Sequence, residues 1–203
     1  MSRSRPKERM RRESSKGKLF VVSAPSGCGK TTLCKRLLAG GLGLADSVSM
    51  TTRPRRAGER SGIDYRFVTE KRFRDIMRRR GFLEYEENFG HLYGTPRRFV
   101  EDRLKKGKPV LLSIDVKGAM KVRKAYPASS VLIFLLPPSI AALKERLRSR
   151  KSDSPEVIRQ RLGLAKRELS YKNRYEYRIV NDNLEKAYRR LKGVVSAELG
   201  RRK

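Results

Sequence analysis

Ala24-Pro25-Ser26-Gly27-Cys28-Gly29-Lys30-Thr31 sets two glycines, a lysine and a hydroxyl residue directly after an apolar run and ahead of a helical pattern, Leu33, Leu37 and Leu38. Small residues at these places let successive backbone N–H groups turn inward on a polyphosphate, beside the positive end of the helix that follows. In such a P-loop Lys30 bridges the β- and γ-phosphates of ATP and the Thr31 hydroxyl ligates Mg²⁺, with Thr32 closing the ATP-binding stretch. The first position is Ala24 where the strict pattern has glycine, a change that holds if this residue keeps φ below zero.

The elements that must position this loop are legible as apolar runs. Lys18 to Ser23 is β-prone and stops at the loop, so the order is strand, glycine loop, helix. Pro109-Val110-Leu111-Leu112-Ser113-Ile114-Asp115 and Val131 to Leu136 are two further runs without polar alternation. Strands of this kind are buried on both faces, which predicts an α/β fold with a central parallel sheet covered by helices in three layers. Between them, residues 49–108 are rich in charge and turn residues, with short strand-like pieces at Tyr65 to Val68 and Phe82 to Tyr85, and read as an inserted subdomain. Ile140, Leu143 and Leu147 predict one helix and Val157, Ile158, Leu162 and Leu164 another. The polar stretch Arg148 to Pro155 between them reads as part of a small helical lid. Arg178 to Asp182 is expected as a last strand and Leu184 to Leu199 as a terminal helix.

The 203 residues fit one domain with room for small insertions. With 51 Lys and Arg against 21 Asp and Glu, the formal net charge is +30, so partners carrying phosphate are favoured. Residues 1–17 hold many of these charges and read as a disordered basic tail capable of nonspecific polyanion contact. The tail lacks the amphipathic apolar face of a transit peptide. The longest apolar run has the length of a buried strand, too short to span a membrane. Cys28 and Cys34 form neither a CxxC pair nor a metal cluster with the single His91, and they suit a reducing cytoplasm.

A P-loop leaves open what accepts the phosphoryl group. Ser49-Met50-Thr51-Thr52-Arg53-Pro54-Arg55-Arg56-Ala57-Gly58-Glu59 runs into Gly62-Ile63-Asp64-Tyr65-Arg66-Phe67-Val68, and this resembles the guanylate kinase signature. The resemblance continues through Phe82-Leu83-Glu84-Tyr85, Tyr93-Gly94-Thr95, Ile114 to Gly118, Pro137-Pro138-Ser139, Arg146 to Arg150 and Val180-Asn181-Asp182. It implies an ATP- and Mg²⁺-dependent phosphotransferase acting on GMP. Residues 18–198 would be its domain, with core segments 18–48, 109–139 and 162–198, a GMP-binding insert 49–108 and a lid 140–161.

By the same resemblance Arg53, Arg56, Tyr65 and Tyr93 clamp the GMP phosphate, and their forked guanidinium and phenolic donors suit a dianion. Glu84 would accept from N1–H and the exocyclic amine of guanine, donors that adenine does not present in that arrangement. Ser49, Thr95 and Asp115 are the remaining acceptor-site contacts implied. Lys30 with Arg146, Arg150 and Arg161 would stabilise the moving phosphoryl group, and Asn181 would touch ATP.

Three departures stand out. Pro54 lies one residue earlier than the family's proline, so both Arg55 and Arg56 present themselves for the second clamp position, and the spacing from Arg53 and Glu59 favours Arg56. Ser113 and Lys117 replace an acid and a glutamine common around Asp115. Asn183 stands where an aspartate is frequent. A scaffold module that keeps the acceptor fold without catalysis would lose Gly29-Lys30-Thr31, and a nucleic-acid binder would need more stacking surface than the 7% aromatic content offers. Deleting residues 2–16 is therefore expected to leave turnover nearly unchanged while weakening salt-sensitive retention on an anionic column; loss of turnover in a folded truncation would make the tail part of the enzyme.

Overall fold

Leu19–Ser23 forms strand β1, every residue of which is buried, as expected for an apolar run between two helical layers. The computed structural model describes residues 17–149 and 154–200; the basic tail, Gly17 excepted, and the lid residue Arg150 lie outside the described residues. After β1 come α1 (Lys30–Ala39), β2 (Ala45–Asp46), β3 (Met50–Thr51), β4 (Arg66–Phe67), α2 (Glu70–Arg78), β5 (Phe82–Asn88), β6 (His91–Pro96) and α3 (Arg97–Lys105). The chain continues with β7 (Val110–Ser113), α4 (Val116–Ala125), β8 (Ser130–Leu136), α5 (Ile140–Arg148), α6 (Pro155–Leu169), β9 (Tyr177–Val180) and α7 (Leu184–Gly200).

The central sheet has the order β2-β7-β1-β8-β9 and all its pairings are parallel. Successive side chains of a strand point to opposite faces, and here both faces are covered. Phe20, Val22, Leu111, Ile133 and Leu135 pack with Leu33 and Leu37 of α1 and with Ala187, Leu191 and Val195 of α7. On the other face Leu19, Val21, Leu112, Leu132 and Phe134 meet Val100 and Leu104 of α3 and Val116, Ala119 and Val122 of α4. The absence of polar alternation in the sequence is thus the signature of a middle layer. The carboxyl ends of β1 and β7 open at the same edge, where Val22 pairs with Ser113, so the P-loop and Asp115 emerge side by side.

A second sheet, in the order β4-β3-β6-β5, carries the acceptor-type residues. β5 and β6 pair antiparallel from Phe82–Pro96 to Asn88–His91, and Phe89 and Gly90 make the turn with φ of 52° and 72°.

The segment expected to hold only short strands also contains α2 and α3. Thr69 caps α2 by accepting from the Arg72 N–H, and Phe73, Ile76 and Met77 stand at helical spacing along it, of which Phe73 is buried. Helix α3 contributes Val100 and Leu104, spaced i to i+4, to the main core. Helix α6 runs unbroken across residues 161 and 162, where the lid and core segments were expected to meet. Phe134 is fully buried and edge-on to Tyr175 at 4.9 Å. Phe134→Ala is expected to destabilise the fold by about 3–5 kcal/mol, read as a lowered urea midpoint with the slope unchanged.

Candidate active site

The loop after β1 turns on Gly27 and Gly29, with φ of 93° and 79°, values that favour glycine. At Gly29 a Cβ would also lie 2.5 Å from Asn181 Nδ2, which donates to the Cys28 carbonyl at 2.8 Å. Gly29 is the N-cap of α1 and offers no side-chain cap, whereas Asp115, Ser139 and Ser154 cap α4, α5 and α6. The first N–H groups of α1 are therefore left to an anion. Lys30 Nζ donates to the Ile114 carbonyl at 3.0 Å, holding its ammonium between the loop and the end of β7. Cys28 faces inward, and burial pushes its thiol up to about 12, so it has little thiolate character.

On the other sheet, Arg53 is 9% exposed and pairs with Glu59 at 2.7 Å, while Nη1 donates to the Pro54 carbonyl at 2.7 Å. Its guanidinium lies 5.5 Å from the Tyr65 ring and 5.7 Å from that of Phe67. Glu59 accepts the Arg56 N–H at 2.8 Å as well, and these contacts hold its carboxyl below the usual range, against the opposing effect of partial burial. The turn aims the two arginines differently, for Arg56 lines the cleft and Arg55 does not.

Glu84 is 6% exposed and accepts from the Thr95 hydroxyl at 2.5 Å. Burial pushes its carboxyl up to about 7; the Thr95 bond opposes this and Asp115 adds to it. Gly118 makes room for it, since a Cβ there would sit 2.6 Å from Glu84 Oε2. Asp115 accepts the Gly118 N–H at 2.8 Å on one oxygen and Asn88 Nδ2 at 2.7 Å on the other.

One cleft of about 320 Å³ joins the two halves. Its lining includes Ala24, Pro25, Ser26, Gly27, Gly29, Lys30, Thr31 and Thr32 on the loop side and Ser49, Arg56, Tyr65, Glu84, Tyr93 and Asp115 on the other. Arg161 enters from α6 and donates to Ser26 Oγ at 2.9 Å. Arg53 lines an adjoining cavity of about 210 Å³ that shares Ser49, Arg56, Tyr65 and Tyr93. Thr95, Cys28 and Asn181 are buried behind the wall, and Arg146 is turned to the Asn181 carbonyl at 2.9 Å rather than to the cleft. Arg150 lies outside the described residues.

Sequence reading missed Glu86, Asn88, Phe89, Ser113 and Glu168 as cleft residues. Burial pushes Glu168 up to about 7, with Lys30 opposing the shift. It stands seven residues after Arg161 on α6, two helical turns along one face, and that spacing was the available signal. A cradle of N–H groups and a lysine, facing a buried carboxylate and an arginine–tyrosine clamp, can hold two phosphorylated nucleotides head to head.

Comparison with known proteins decides which family builds this cleft. The sequence model for guanylate kinase matches residues 16–198. The chain belongs to the guanylate kinase family. It is 46% identical over 180 residues to the guanylate kinase of Nitrosomonas europaea, covering 89% of each chain. It is 48% identical to that of Thermus thermophilus, covering 90% of this chain and 82% of the relative. The crystal structure of guanylate kinase from Anaplasma phagocytophilum superposes with a TM-score of 0.77 at 36% identity, covering 90% of this chain and 86% of that one. The α/β fold with its central parallel sheet is therefore the family's.

Within that family fold the packing of Gly118 on Glu84 is a sensitive point. Gly118→Ala is expected to displace the carboxylate and raise KM for the acceptor nucleotide by about tenfold, roughly one hydrogen bond to a charged group, while KM for ATP stays put. Steady-state kinetics with each substrate varied in turn will read this.

Proposed function

We propose that the chain transfers the γ-phosphoryl group of ATP to GMP, giving ADP and GDP, in purine nucleotide metabolism and GMP recycling. One observation carries the reading: a single cleft has the phosphate cradle and Lys30 at one end and the buried Glu84 carboxylate with Arg56, Tyr65 and Tyr93 at the other. Phosphoryl transfer passes through a loose transition state with charge spread over the moving oxygens, so positioning and positive charge supply most of the catalysis.

In this reading residues 24–32 hold the donor, Arg53, Arg56, Tyr65 and Tyr93 hold the acceptor phosphate, and Ser49 is a further contact to the acceptor. Glu84 reads guanine, with Thr95 and Asp115 fixing its surroundings. Lys30 and Arg161 follow the charge onto the transferring group, joined by Arg150 and by Arg146, which must leave the Asn181 carbonyl to do so. Asn181 supports the ATP side through the Cys28 carbonyl rather than by direct contact. The acceptor phosphate is already an ionised nucleophile, so no general base is needed. Residues 49–108 serve as the acceptor insert, 140–161 as the lid and 18–48, 109–139 and 162–198 as the core, working in the cytoplasm, with the basic tail free for nonspecific polyanion contact.

The donor atoms around Thr31 suit Mg²⁺. Thr31 lines the same cleft as Ser113 and Asp115, all of them hard oxygen donors, and among the described residues there is no group of three or more His, Cys, Asp or Glu placed to cage a metal. Thr31 would thus hold the ion together with the ATP phosphates. When bound, Mg²⁺ neutralises charge on the β- and γ-phosphates.

A coupled assay offering GMP, AMP, CMP and UMP with MgATP tests the reading. Strong preference for GMP is expected, and equal turnover of AMP would overturn it. The pH dependence isolates Glu84. Its carboxyl titrates near 7 when buried, and only the ionised form accepts both guanine donors, so GMP binding should strengthen as pH rises through about 7. The nucleotide's own phosphate ionises near pH 6 and contributes in any variant. Glu84→Gln should therefore keep the lower step and lose the upper one, with a narrowed preference for GMP over AMP; identical KM-against-pH profiles would remove Glu84 from base recognition.

A further inference from the structure

Phe89 is out of keeping with its position. It is 52% exposed, so burial gives it little, and it holds φ at 52° as the first residue of the two-residue β5–β6 turn, a place that Asn, Asp or Gly fills without strain. A single exposed aromatic is ordinary on a protein surface, but a strained one projecting into the catalytic cleft is not. The guanidinium carbon of Arg161 lies 5.7 Å from its ring centroid, within cation–π range. The same guanidinium donates to Ser26 Oγ of the phosphate cradle at 2.9 Å. Arg161 therefore reaches from α6 to the donor loop and is flanked by the tip of the acceptor hairpin.

From this geometry we infer that Phe89 is a positioning residue for Arg161: the ring face fixes the guanidinium across the cleft, between the phosphate cradle and the acceptor hairpin. The inference rests on the phosphotransfer reading of the cleft and adds to it how one of its arginines is aimed. An arginine side chain has many rotamers, and a planar cation laid on a planar ring loses most of them before substrate arrives. Preorganised charge acts on the transition state without further reorganisation, so the gain falls on turnover rather than on substrate binding. The hairpin that presents Phe89 also carries Glu84 and Tyr93, so one rigid piece orients both the acceptor nucleotide and the arginine that meets the moving phosphoryl group.

A double-mutant cycle on the full chain tests this, using Phe89→Leu, Phe89→Tyr, Arg161→Ala and Arg161→Ala with Phe89→Leu. Leucine keeps bulk and the strained non-glycine backbone but removes the ring face, whereas tyrosine keeps it. Phe89→Leu is expected to lower kcat about fivefold with KM for ATP unchanged, Phe89→Tyr to restore it, and Phe89→Leu to do nothing further once Arg161 is alanine. Equal fold-losses from Phe89→Leu in both backgrounds, or a Phe89→Tyr enzyme as slow as Phe89→Leu, would overturn the inference while leaving the arginine's role intact. An Arg161→Ala enzyme with full turnover would instead remove Arg161 from the reaction and the inference with it. The exposure of Phe89 predicts unchanged melting temperatures for both of its variants, so the kinetics are not clouded by unfolding.

Discussion

Everything at the donor end depends on a few unsatisfied backbone N–H groups being held where a polyphosphate can reach them. Such groups are costly to bury and are normally capped, as Asp115, Ser139 and Ser154 cap the helices they begin. Helix α1 starts instead from Gly29 in a left-handed conformation, a turn that no side chain spans. The loop cannot relax, because β1 beneath it is buried on both faces and Asn181, at the end of β9, is bonded to the Cys28 carbonyl and packed against Gly29. Strand order thus brings the pieces together: β7 neighbours β1, so Ile114 and Asp115 line the cleft beside the loop, and Asn181 after β9 braces it from below.

The acceptor end meets the opposite requirement, since cations must be kept ready without collapsing onto one another or onto the wrong carboxylate. Glu59 does this with both oxygens, one on the Arg53 guanidinium and one on the Arg56 N–H, which ties the backbone turn to the side chain it aims. Arg56 is left to face the cleft. Asp115 likewise has a donor on each oxygen, Gly118 on one and Asn88 on the other, which holds it in place at the junction of the two sheets and leaves acceptor capacity towards the cleft. Glu168 is buried on α6, where burial disfavours its ionised form and the charge of Lys30 favours it. In a chain of net charge +30, these few placed acids organise the site more than the abundant bases do.

What the sequence made legible followed from local physics. Lys18 to Ser23, Pro109 to Asp115 and Val131 to Leu136 are uniformly apolar because both faces of the central sheet are covered, and a run of that kind has few alternatives. Gly29-Lys30-Thr31 between strand and helix was equally local. Helices α2 and α3 were passed over although Phe73, Ile76 and Met77 in one and Val100 and Leu104 in the other stand at helical spacing, because each is short and its charged residues outnumber its apolar ones. Asn88 gave no signal at all: its role is set by Asp115, 27 residues away, and only the pairing of β5 with β6 and the packing of β5 on α4 bring the two together. Asn181 was expected to touch ATP, and its burial beneath the loop, bonded to the Cys28 carbonyl, came only with the fold.

Base recognition has its own physical logic, separable from phosphate chemistry. A carboxylate removed from water loses hydration and recovers it only if donors replace the solvent. The protein supplies Glu84 with one, the Thr95 hydroxyl, and Gly118 keeps its other flank free of side-chain atoms. If Glu84 reads guanine as proposed, the site is built incomplete: burial pushes its carboxyl up to about 7, and two further donors would favour the ionised form. Guanine brings both on adjacent atoms, whereas adenine would set a lone pair against the charge. Discrimination of this kind arises from the group left unpaired rather than from the bond gained, so it is strong even where the attraction for the right base is modest. A phosphate clamp of Arg53, Arg56, Tyr65 and Tyr93, as proposed, could not discriminate in this way, since every nucleoside monophosphate would present it with the same dianion. On the proposed reading, selectivity for the base rests on how few donors the protein itself gives this carboxylate, and among the described residues its side-chain donor is the Thr95 hydroxyl.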